Sequence, residues 1–452
     1  MMRQRNRGRA TLAAAAAMCA VAALPGQAYA AGEPAAYTFD PRAKTVRGAE
    51  VSTDASALKP GSVYRSSIKP GEKLYYRLVL DAAANAYVSA VVVPEAGGKV
   101  AYGDGITVSI RDSTDLQCSS EDARFGAAEF PHPIAAYAYR ITDKDSRTCQ
   151  DAGTYNVLIE RESKATSAPD AWDLELRYEL EPKLKKGGTA PTEAPEDWPS
   201  ASPTPPTQAK KEEERPGGTS YYDATSLDTG TWKDGIEPGQ TLFYQVPVDW
   251  GQQIFVGVDL GNSVGGSDEY IGNALAVSLD NPAHGHVDDA SPLSYSGNPA
   301  SVSLDPLPPV AYENRFTSRA GESAMRFAGW YYLSVSLSPE VEKAYGKKAI
   351  PMTLRVQVEN AAKTSPYEGS AGVFGVTQDD KDMARSGQSA PQADKSNTMK
   401  MVGKAGIGAG AALVLGLGAW TLLARRRTAA AADGPVGGTA GQQPYGGPPQ
   451  AW

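Results

Sequence analysis

The chain is poor in the residues on which most active sites depend. Among its 452 residues there are only three histidines and three cysteines. No His-Glu-x-x-His zinc motif or Walker phosphate loop occurs in the sequence. Metalloprotease and nucleotide-dependent chemistry therefore have no recognisable catalytic frame. We expect no enzymatic activity and no cofactor.

Basic charge is also scarce in the central part of the chain. Of the 44 basic and 52 acidic residues, seven basic and one acidic residue fall in the two terminal segments described below, which leaves a net charge of −14 between them. Nucleic acids and anionic surfaces bind clusters of lysine and arginine. The acidic balance therefore predicts no nucleic-acid partner and is typical of an exported domain.

Residues 1–30 have the pattern of a secretory signal peptide. Arginines in the first nine residues precede an apolar run from Leu12 to Leu24, and the Ala-Tyr-Ala sequence that ends at Ala30 predicts cleavage after that residue. Cys19 lies inside the run without the lipobox-like residues that lipid attachment needs. We therefore predict export without a lipid anchor.

Residues 405–424 form a second apolar segment, which contains no charged side chain. A helix of this length spans about 30 Å, the thickness of a membrane hydrocarbon core. Arg425, Arg426 and Arg427 follow at once, and the positive-inside rule places them in the cytoplasm. We predict a single-pass membrane protein with its N-terminus outside and a disordered cytoplasmic tail over 425–452.

The same segment contains Gly406-x-x-x-Gly410, a small-xxx-small spacing that allows two membrane helices to pack closely. This spacing suggests a helix-mediated homodimer, although glycine is common in membrane helices for other reasons.

Cys118 and Cys149 are the two cysteines that remain after signal cleavage. An exported chain meets an oxidising environment, so we predict a disulfide between them. A pair of metal-ligand thiolates is the alternative, but only His132 lies between the two and the CxxC spacing of zinc sites is absent. The disulfide would stabilise the fold by roughly 3–4 kcal/mol in the chain-entropy model.

A Pro-Gly turn followed by an alternating strand occurs twice, 168 residues apart. The first copy runs from Ile68 to Tyr76 and the second from Ile236 to Tyr244. Proline and glycine supply the turn, and period-two alternation predicts a strand with one buried face. That face comprises Leu74, Tyr76, Leu78 and Leu80 in the first copy, and Leu242, Tyr244, Val246 and Val248 in the second.

Further alternating segments match between the copies, with Tyr155 aligned to Tyr331 and Leu174 aligned to Leu354. Several short alternating strands without a helical period predict an all-β fold. We therefore predict two tandem antiparallel β-sandwich modules, jelly-roll-like, with solvated outward faces. They occupy residues 46–182 and 216–360, joined by a Pro/Glu/Lys-rich linker over 183–215, and a flexible stalk over 361–404 leads to the membrane.

The order of a Pro-Gly-[Glu/Gln] turn, a Leu-[Tyr/Phe]-Tyr strand, an Ala-Gly-x-Tyr strand and a closing alternating strand resembles the bacterial pre-peptidase C-terminal (PPC-like) β-sandwich family. With the signal peptide, spacers and anchor, the chain looks like an exported protein of high-GC Gram-positive, actinobacterial type. The resemblance implies accessory modules, which accompany catalytic or adhesive domains and seldom carry chemistry themselves.

Two groups of residues are candidates for binding. His284, His286 and Asp288 could ligate a divalent metal, although an ordinary loop has the same composition and we expect no metal. Aromatic residues could stack on sugars or seat a protein, although packing inside or between sheets is the more common role. These aromatic residues are Tyr75, Tyr102, Tyr221, Tyr222, Trp232, Trp330 and Tyr332.

The sequence favours a non-catalytic, membrane-anchored extracytoplasmic protein that binds or scaffolds another component of the cell envelope. Its predicted partner is an unidentified envelope protein. A cell-wall glycan held by exposed aromatic residues is the alternative, and a hydrolase of unrecognised type is the third hypothesis.

Overall fold

The computed structural model describes residues 34–143, 146–186, 193–201, 213–263, 269–396, 398 and 415–423. Most of the regular structure in this part is β-strand, as the sequence predicts. The α-helices of this part all follow residue 319: α1 (Ala320–Ala324), α2 (Glu340–Tyr345) and α3 (Gln378–Ser386), with further helical residues at 390–396 and 415–423.

Module 1 contains ten strands that form two facing five-stranded sheets, β1-β3-β10-β5-β8 and β2-β4-β9-β6-β7. Their inward side chains make one hydrophobic core. The strands are β1 (Lys44–Thr45), β2 (Ser56–Ala57), β3 (Ser62–Ile68), β4 (Lys73–Leu80), β5 (Ala86–Val93), β6 (Gly105–Arg111), β7 (Gln117–Arg124), β8 (Ile134–Arg140), β9 (Gly153–Glu162) and β10 (Trp172–Leu180).

Module 2 repeats this arrangement with one additional strand, β18, which pairs with β16. Its sheets are β11-β13-β21-β15-β19 and β12-β14-β20-β16-β17. The strands are β11 (Glu213–Glu214), β12 (Thr225–Ser226), β13 (Gly230–Ile236), β14 (Thr241–Val248), β15 (Gln253–Leu260), β16 (Ile271–Asp280), β17 (His286–Asp289), β18 (Leu293–Tyr295), β19 (Ala300–Ser303), β20 (Gly329–Leu337) and β21 (Ile350–Glu359).

The two modules share the same strand order in both sheets, so the duplication in the sequence is a duplication of the fold. The prediction of purely antiparallel sheets needs a correction, because each sheet contains one parallel pair of two-residue length. These pairs are β1 with β3, β2 with β4, β11 with β13, and β12 with β14. Only a very short edge strand pairs this way, and all longer pairings are antiparallel.

The repeated Pro-Gly turn has the predicted geometry in both modules. Gly71 and Gly239 adopt φ of +70° and +80°, which only glycine enters without strain. The following strands pair in equivalent registers, with Leu74 opposite Ile159 and Leu242 opposite Val335. The offset of 168 residues therefore holds in space as well as in sequence.

The alignment of the closing strands is shifted by two residues relative to the prediction. Leu174 lies opposite Val92, whereas Leu354 lies opposite Val258. Since Val92 corresponds to Leu260, the true counterpart of Leu174 is Met352, which pairs with Leu260. A slip of two residues keeps every side chain on its own face, so the alternating pattern could not detect it.

The predicted disulfide between Cys118 and Cys149 is present, with a Cα–Cα distance of 5.7 Å. It ties the edge strand β7 to the loop that follows β8. The Cys149 carbonyl also accepts a hydrogen bond of 2.7 Å from the Nε of Arg140, which is buried. The loop that contains Cys149 is therefore fixed twice, by the disulfide to Cys118 and by the hydrogen bond from the buried Arg140.

Residues 361–396, which the sequence predicts as part of a flexible stalk, instead pack against the modules. Tyr367 and Phe374 are almost fully buried. The Thr377 hydroxyl and the Asp380 carboxylate form a capping box at the start of α3. The linker also makes contacts, because Leu184 bridges to Tyr367.

Several sequence predictions fall outside the described residues. They are the signal peptide over 1–30 with Ala30, the Gly406–Gly410 spacing, the arginines at 425–427 and the tail. Of the predicted membrane segment 405–424, only residues 415–423 are described, and they are helical. Within the described part of the chain, no helix has the length and hydropathy needed to cross a membrane.

Candidate functional site

The two modules pack face to face along a seam that the sequence does not predict. The outward face of the β1-β3-β10-β5-β8 sheet lies against the outward face of the β12-β14-β20-β16-β17 sheet. One buried cluster joins Val91 and Ala135 of module 1 to Phe243 and Tyr332 of module 2. These outward faces are therefore buried, which corrects the prediction of solvated faces for these two sheets.

A buried ion pair also crosses the seam. The Glu181 carboxylate, just after β10, accepts hydrogen bonds from Arg315 Nη2 at 2.6 Å, Tyr367 Oη at 2.7 Å and Asn85 Nδ2 at 2.7 Å. The side chains of Glu181 and Arg315 are only 1% and 3% exposed. Burial acts to raise the pKa of Glu181, but Arg315 and the other donors lower it below the usual value.

A cavity of about 550 Å³ opens in the seam between β10 of module 1 and β14 and β20 of module 2. Glu175 and Arg177 line it from module 1, and His284, Trp330 and Tyr332 line it from module 2. We call this cavity the seam cleft. It is the strongest candidate site in the described part of the chain because charged, hydrogen-bonding and aromatic groups converge there.

The hydrogen bond between Arg177 and His284 fixes the state of the imidazole. Arg177 Nη1 lies 3.0 Å from His284 Nε2. Burial, followed by the charge of Arg177, lowers the pKa of His284 well below its usual value, so the ring is neutral. Because a guanidinium can only donate, Nε2 is the acceptor and the ring proton lies on Nδ1. Tyr221 stacks on the ring at a centroid distance of 4.3 Å.

Glu175 lies on the same wall of the seam cleft and is 4% exposed. Burial raises its pKa to about 7, although the charge of Arg177 opposes the shift. Arg177 also donates from Nε to Glu179 of its own strand at 2.9 Å. Together with the bond to His284 of module 2, this fixes the guanidinium between the two modules. The cleft can therefore offer a carboxyl group, a guanidinium and an imidazole N–H to a polar ligand.

A second cavity of about 630 Å³ lies further along the seam and contains a group of ionisable side chains. Burial acts to lower the pKa of His286, but Asp280, 3.9 Å from its Nδ1, and Asp289 raise it to about 9. Across the seam, burial raises the pKa of Glu121 to about 8, although Arg326 opposes the shift. Both groups hold their protons more tightly in the folded state.

We expect the protein to be less stable at pH 9 than at pH 6. The stability that Glu121 contributes is complete below its unfolded pKa of about 4.5 and is lost as the pH rises towards 8. For His286 the loss falls between about 6.5 and 9. A double variant, Glu121→Gln with His286→Gln, should reduce this fall in melting temperature, measured by circular dichroism.

Glu237→Gln, at an exposed turn, serves as the control and should keep the pH dependence of the unmodified protein. Equal pH dependence in the double variant and the unmodified protein would contradict the assignment.

The predicted metal ligands do not come together. His284 is buried against Tyr221 and bonds to Arg177, whereas His286 is partly exposed and faces Asp280 and Asp289. The Asp288 carboxylate accepts from the backbone N–H of Asp305 at 3.2 Å. Among the described residues, no group of three histidine, cysteine, aspartate or glutamate side chains is arranged to hold a metal ion.

The predicted aromatic residues divide between packing and surface positions. Tyr221, Trp232 and Tyr332 are buried, and Arg215 covers the Trp232 ring with its guanidinium carbon 4.7 Å from the centroid. Tyr75, Tyr222 and Trp330 are half-buried. Tyr102 is the exposed member of the set, at 64%. Trp232 therefore has the packing role that the sequence favours for this set, and the alternative of an exposed platform does not apply to it.

Sequence reasoning missed Glu175, Arg177 and Glu181, because it assigned charged residues on outward strand faces to solvent. One local signal was available for the segment that closes the cleft. Thr377-x-x-Asp380 has the spacing of a helix N-terminal cap, which points to an ordered helix rather than a flexible stalk. No local pattern marks the charged residues as buried.

No family model and no curated protein sequence matches the chain. Solved structures similar to it include a family 35 carbohydrate binding module from an environmental isolate, at 14% identity over 32% of this chain and 89% of that chain (TM-score 0.17). Another is the CBM22-1-CBM22-2 tandem domain of Xyn10C from Paenibacillus barcinonensis, at 12% identity over 68% and 100% (TM-score 0.18).

A third is the ANXUR2 extracellular domain from Arabidopsis thaliana, at 9% identity over 72% of this chain and 99% of that chain (TM-score 0.19). With TM-scores this low, these similarities carry no argument about function.

Proposed function

We propose that this chain is a non-catalytic, extracytoplasmic binding protein whose two β-sandwiches act as one unit to hold or scaffold another component of the cell envelope. The carrying observation is the seam, where outward faces of both modules enclose shared clefts. Residues of both modules line each of these clefts. The clefts, of about 550 and 630 Å³, fall within the size range of ligand pockets.

The proposal includes a membrane anchor at residues 405–424, followed by the arginines at 425–427, and an outward-facing N-terminus, all taken from the sequence. The non-catalytic role in this proposal draws on the resemblance of the sequence to PPC-like accessory modules. The seam supports a binding role because Glu181, Arg315 and Tyr367 lock the modules and the following segment together. A locked pair of modules presents its clefts in a fixed geometry, which lowers the entropy cost of binding.

The test is capture of envelope components by the tagged full chain in its host, with chemical cross-linking before extraction. A chain reduced to the signal peptide and residues 397–452 is the control, since it keeps the predicted anchor and lacks the modules. We expect the full chain to enrich a defined component at least tenfold over this control. Equal recovery by the two chains would overturn the proposed function.

A further inference from the structure

We propose that the seam cleft binds an uncharged saccharide of one or two rings. This inference rests on the proposed function and names the class of ligand. Three independent observations support it: buried polar atoms without partners, aromatic faces on the same wall, and balanced charge around the opening.

Two buried polar atoms on the lining residues lack a hydrogen-bond partner among the described residues. They are Glu175 Oε2 and His284 Nδ1. Since Nδ1 carries the ring proton, the pair consists of one acceptor and one donor. A buried polar atom without a partner costs about 1–3 kcal/mol. A ligand hydroxyl that displaced the atoms covering these two groups and bonded to both would remove this cost, so the cleft favours a ligand that donates and accepts.

The hydroxyl groups of a sugar have this dual character, because each donates one hydrogen bond and accepts others. The Tyr37 hydroxyl, also buried and unpaired among the described residues, lies beside Glu175 and lowers its pKa. A small movement of Tyr37 could pair it with Glu175. His284 Nδ1 would still lack an acceptor, so the cleft would still need a ligand hydroxyl or carbonyl oxygen.

The aromatic residues of the cleft suit the apolar C–H face of a sugar ring. Trp330 is half-buried at the cleft, and its Nε1 donates to Asp380 of α3 at 3.0 Å. This bond holds the indole ring in place from the segment after module 2. Tyr222 lines the same cavity and is also half-buried. Aromatic faces carry partial negative charge and attract the partially positive C–H groups of a sugar.

The charges around the cleft balance, which argues for an uncharged ligand. The acidic lining residues are Asp40, Glu175 and Glu179, and the basic ones are Arg42, Lys44 and Arg177. Most of them already pair with one another, as Arg42 does with Asp40 at 2.9 Å and Arg177 with Glu179. An anionic or cationic ligand would compete with these pairs, whereas a neutral sugar would not.

The test is calorimetric titration of the purified full chain with three neutral disaccharides: N,N′-diacetylchitobiose, cellobiose and maltose. We expect at least one of them to bind with a dissociation constant below about 1 mM. Glu175→Gln removes the charge of the acceptor, and Trp330→Ala removes the aromatic face. Each change should weaken binding at least tenfold.

Two matched variants control for unspecific effects. Glu237→Gln changes an exposed glutamate away from the cleft, and Tyr102→Ala removes an exposed aromatic side chain of module 1. Both should bind the disaccharide as the unmodified protein does. Melting temperatures of all variants, read by circular dichroism, confirm that weakened binding does not reflect unfolding.

Absence of binding by all three disaccharides at 20 mM would overturn the inference, as would unchanged affinity in both Glu175→Gln and Trp330→Ala. If the full chain still captured an envelope component, only the saccharide assignment would fall. Loss of affinity in Tyr102→Ala with none in Trp330→Ala would place the sugar on the surface and would also overturn the inference.

Discussion

Replacement of Arg315 by alanine is expected to lower the free energy of unfolding by about 3–5 kcal/mol. The guanidinium lies in a short 3-10 helix of module 2 and contacts Glu181 across the seam with almost no exposure to solvent. Removing it leaves the carboxylate buried with only neutral donors from Asn85, Tyr87 and Tyr367. An uncompensated buried charge costs far more than the loss of a surface pair.

Arg319→Ala is the matched control, four residues further along the same module. Its side chain is 77% exposed and pairs with Glu322 at 2.7 Å. Surface pairs contribute about 0–1 kcal/mol, so this variant should be nearly neutral. Urea unfolding followed by circular dichroism and tryptophan fluorescence measures both. If Arg315→Ala cost no more than Arg319→Ala, the ion pair would not stabilise the seam.

Replacement of Phe327 by alanine is expected to cost about 3–5 kcal/mol as well. The ring belongs to module 2 but packs edge-on against Tyr87 of module 1, with 4.9 Å between centroids. It also contacts Phe374, from the segment after module 2, at 4.6 Å. Truncation therefore opens a cavity where three parts of the chain meet, and the surrounding strands cannot close it.

Phe316→Ala provides the control for loss of a phenyl ring, because Phe316 is 43% exposed in the same module. Its change in unfolding free energy should stay within about 1 kcal/mol. Differential scanning calorimetry would show the difference directly as a lower melting temperature for Phe327→Ala. Equal melting temperatures for the two variants would contradict the placement of Phe327 in a shared core.

The alternating pattern predicted the inward face of each strand well. Leu74, Tyr76 and Leu78 are buried as expected, and the exposed Val79 lies on the opposite face. Inward positions must be apolar in any sandwich, so a single sequence reveals them. The disulfide was equally predictable from the sequence, because Cys118 and Cys149 are the two cysteines left for pairing in an exported chain.

The register between strands was harder to predict from the sequence, as the closing strands show. Leu174 and Leu354 share an alternating pattern, yet Met352 is the true counterpart of Leu174. Alternation distinguishes odd from even positions and carries no information about shifts of two. Hydrogen-bond pairing with the neighbouring strand decides the register, and that pairing exists only in the folded sheet.

The sequence by itself determined the duplicated β framework, the inward faces, the turns and the disulfide. Only the tertiary structure decided which outward faces are covered. Arg177 of β10 and its counterpart Arg355 of β21 occupy equivalent outward positions, yet their side chains are 18% and 51% exposed. Both are arginine, and their strands alternate alike. The difference arises because module 2 lies against β10 and supplies His284 as a partner, a long-range contact that no local pattern records.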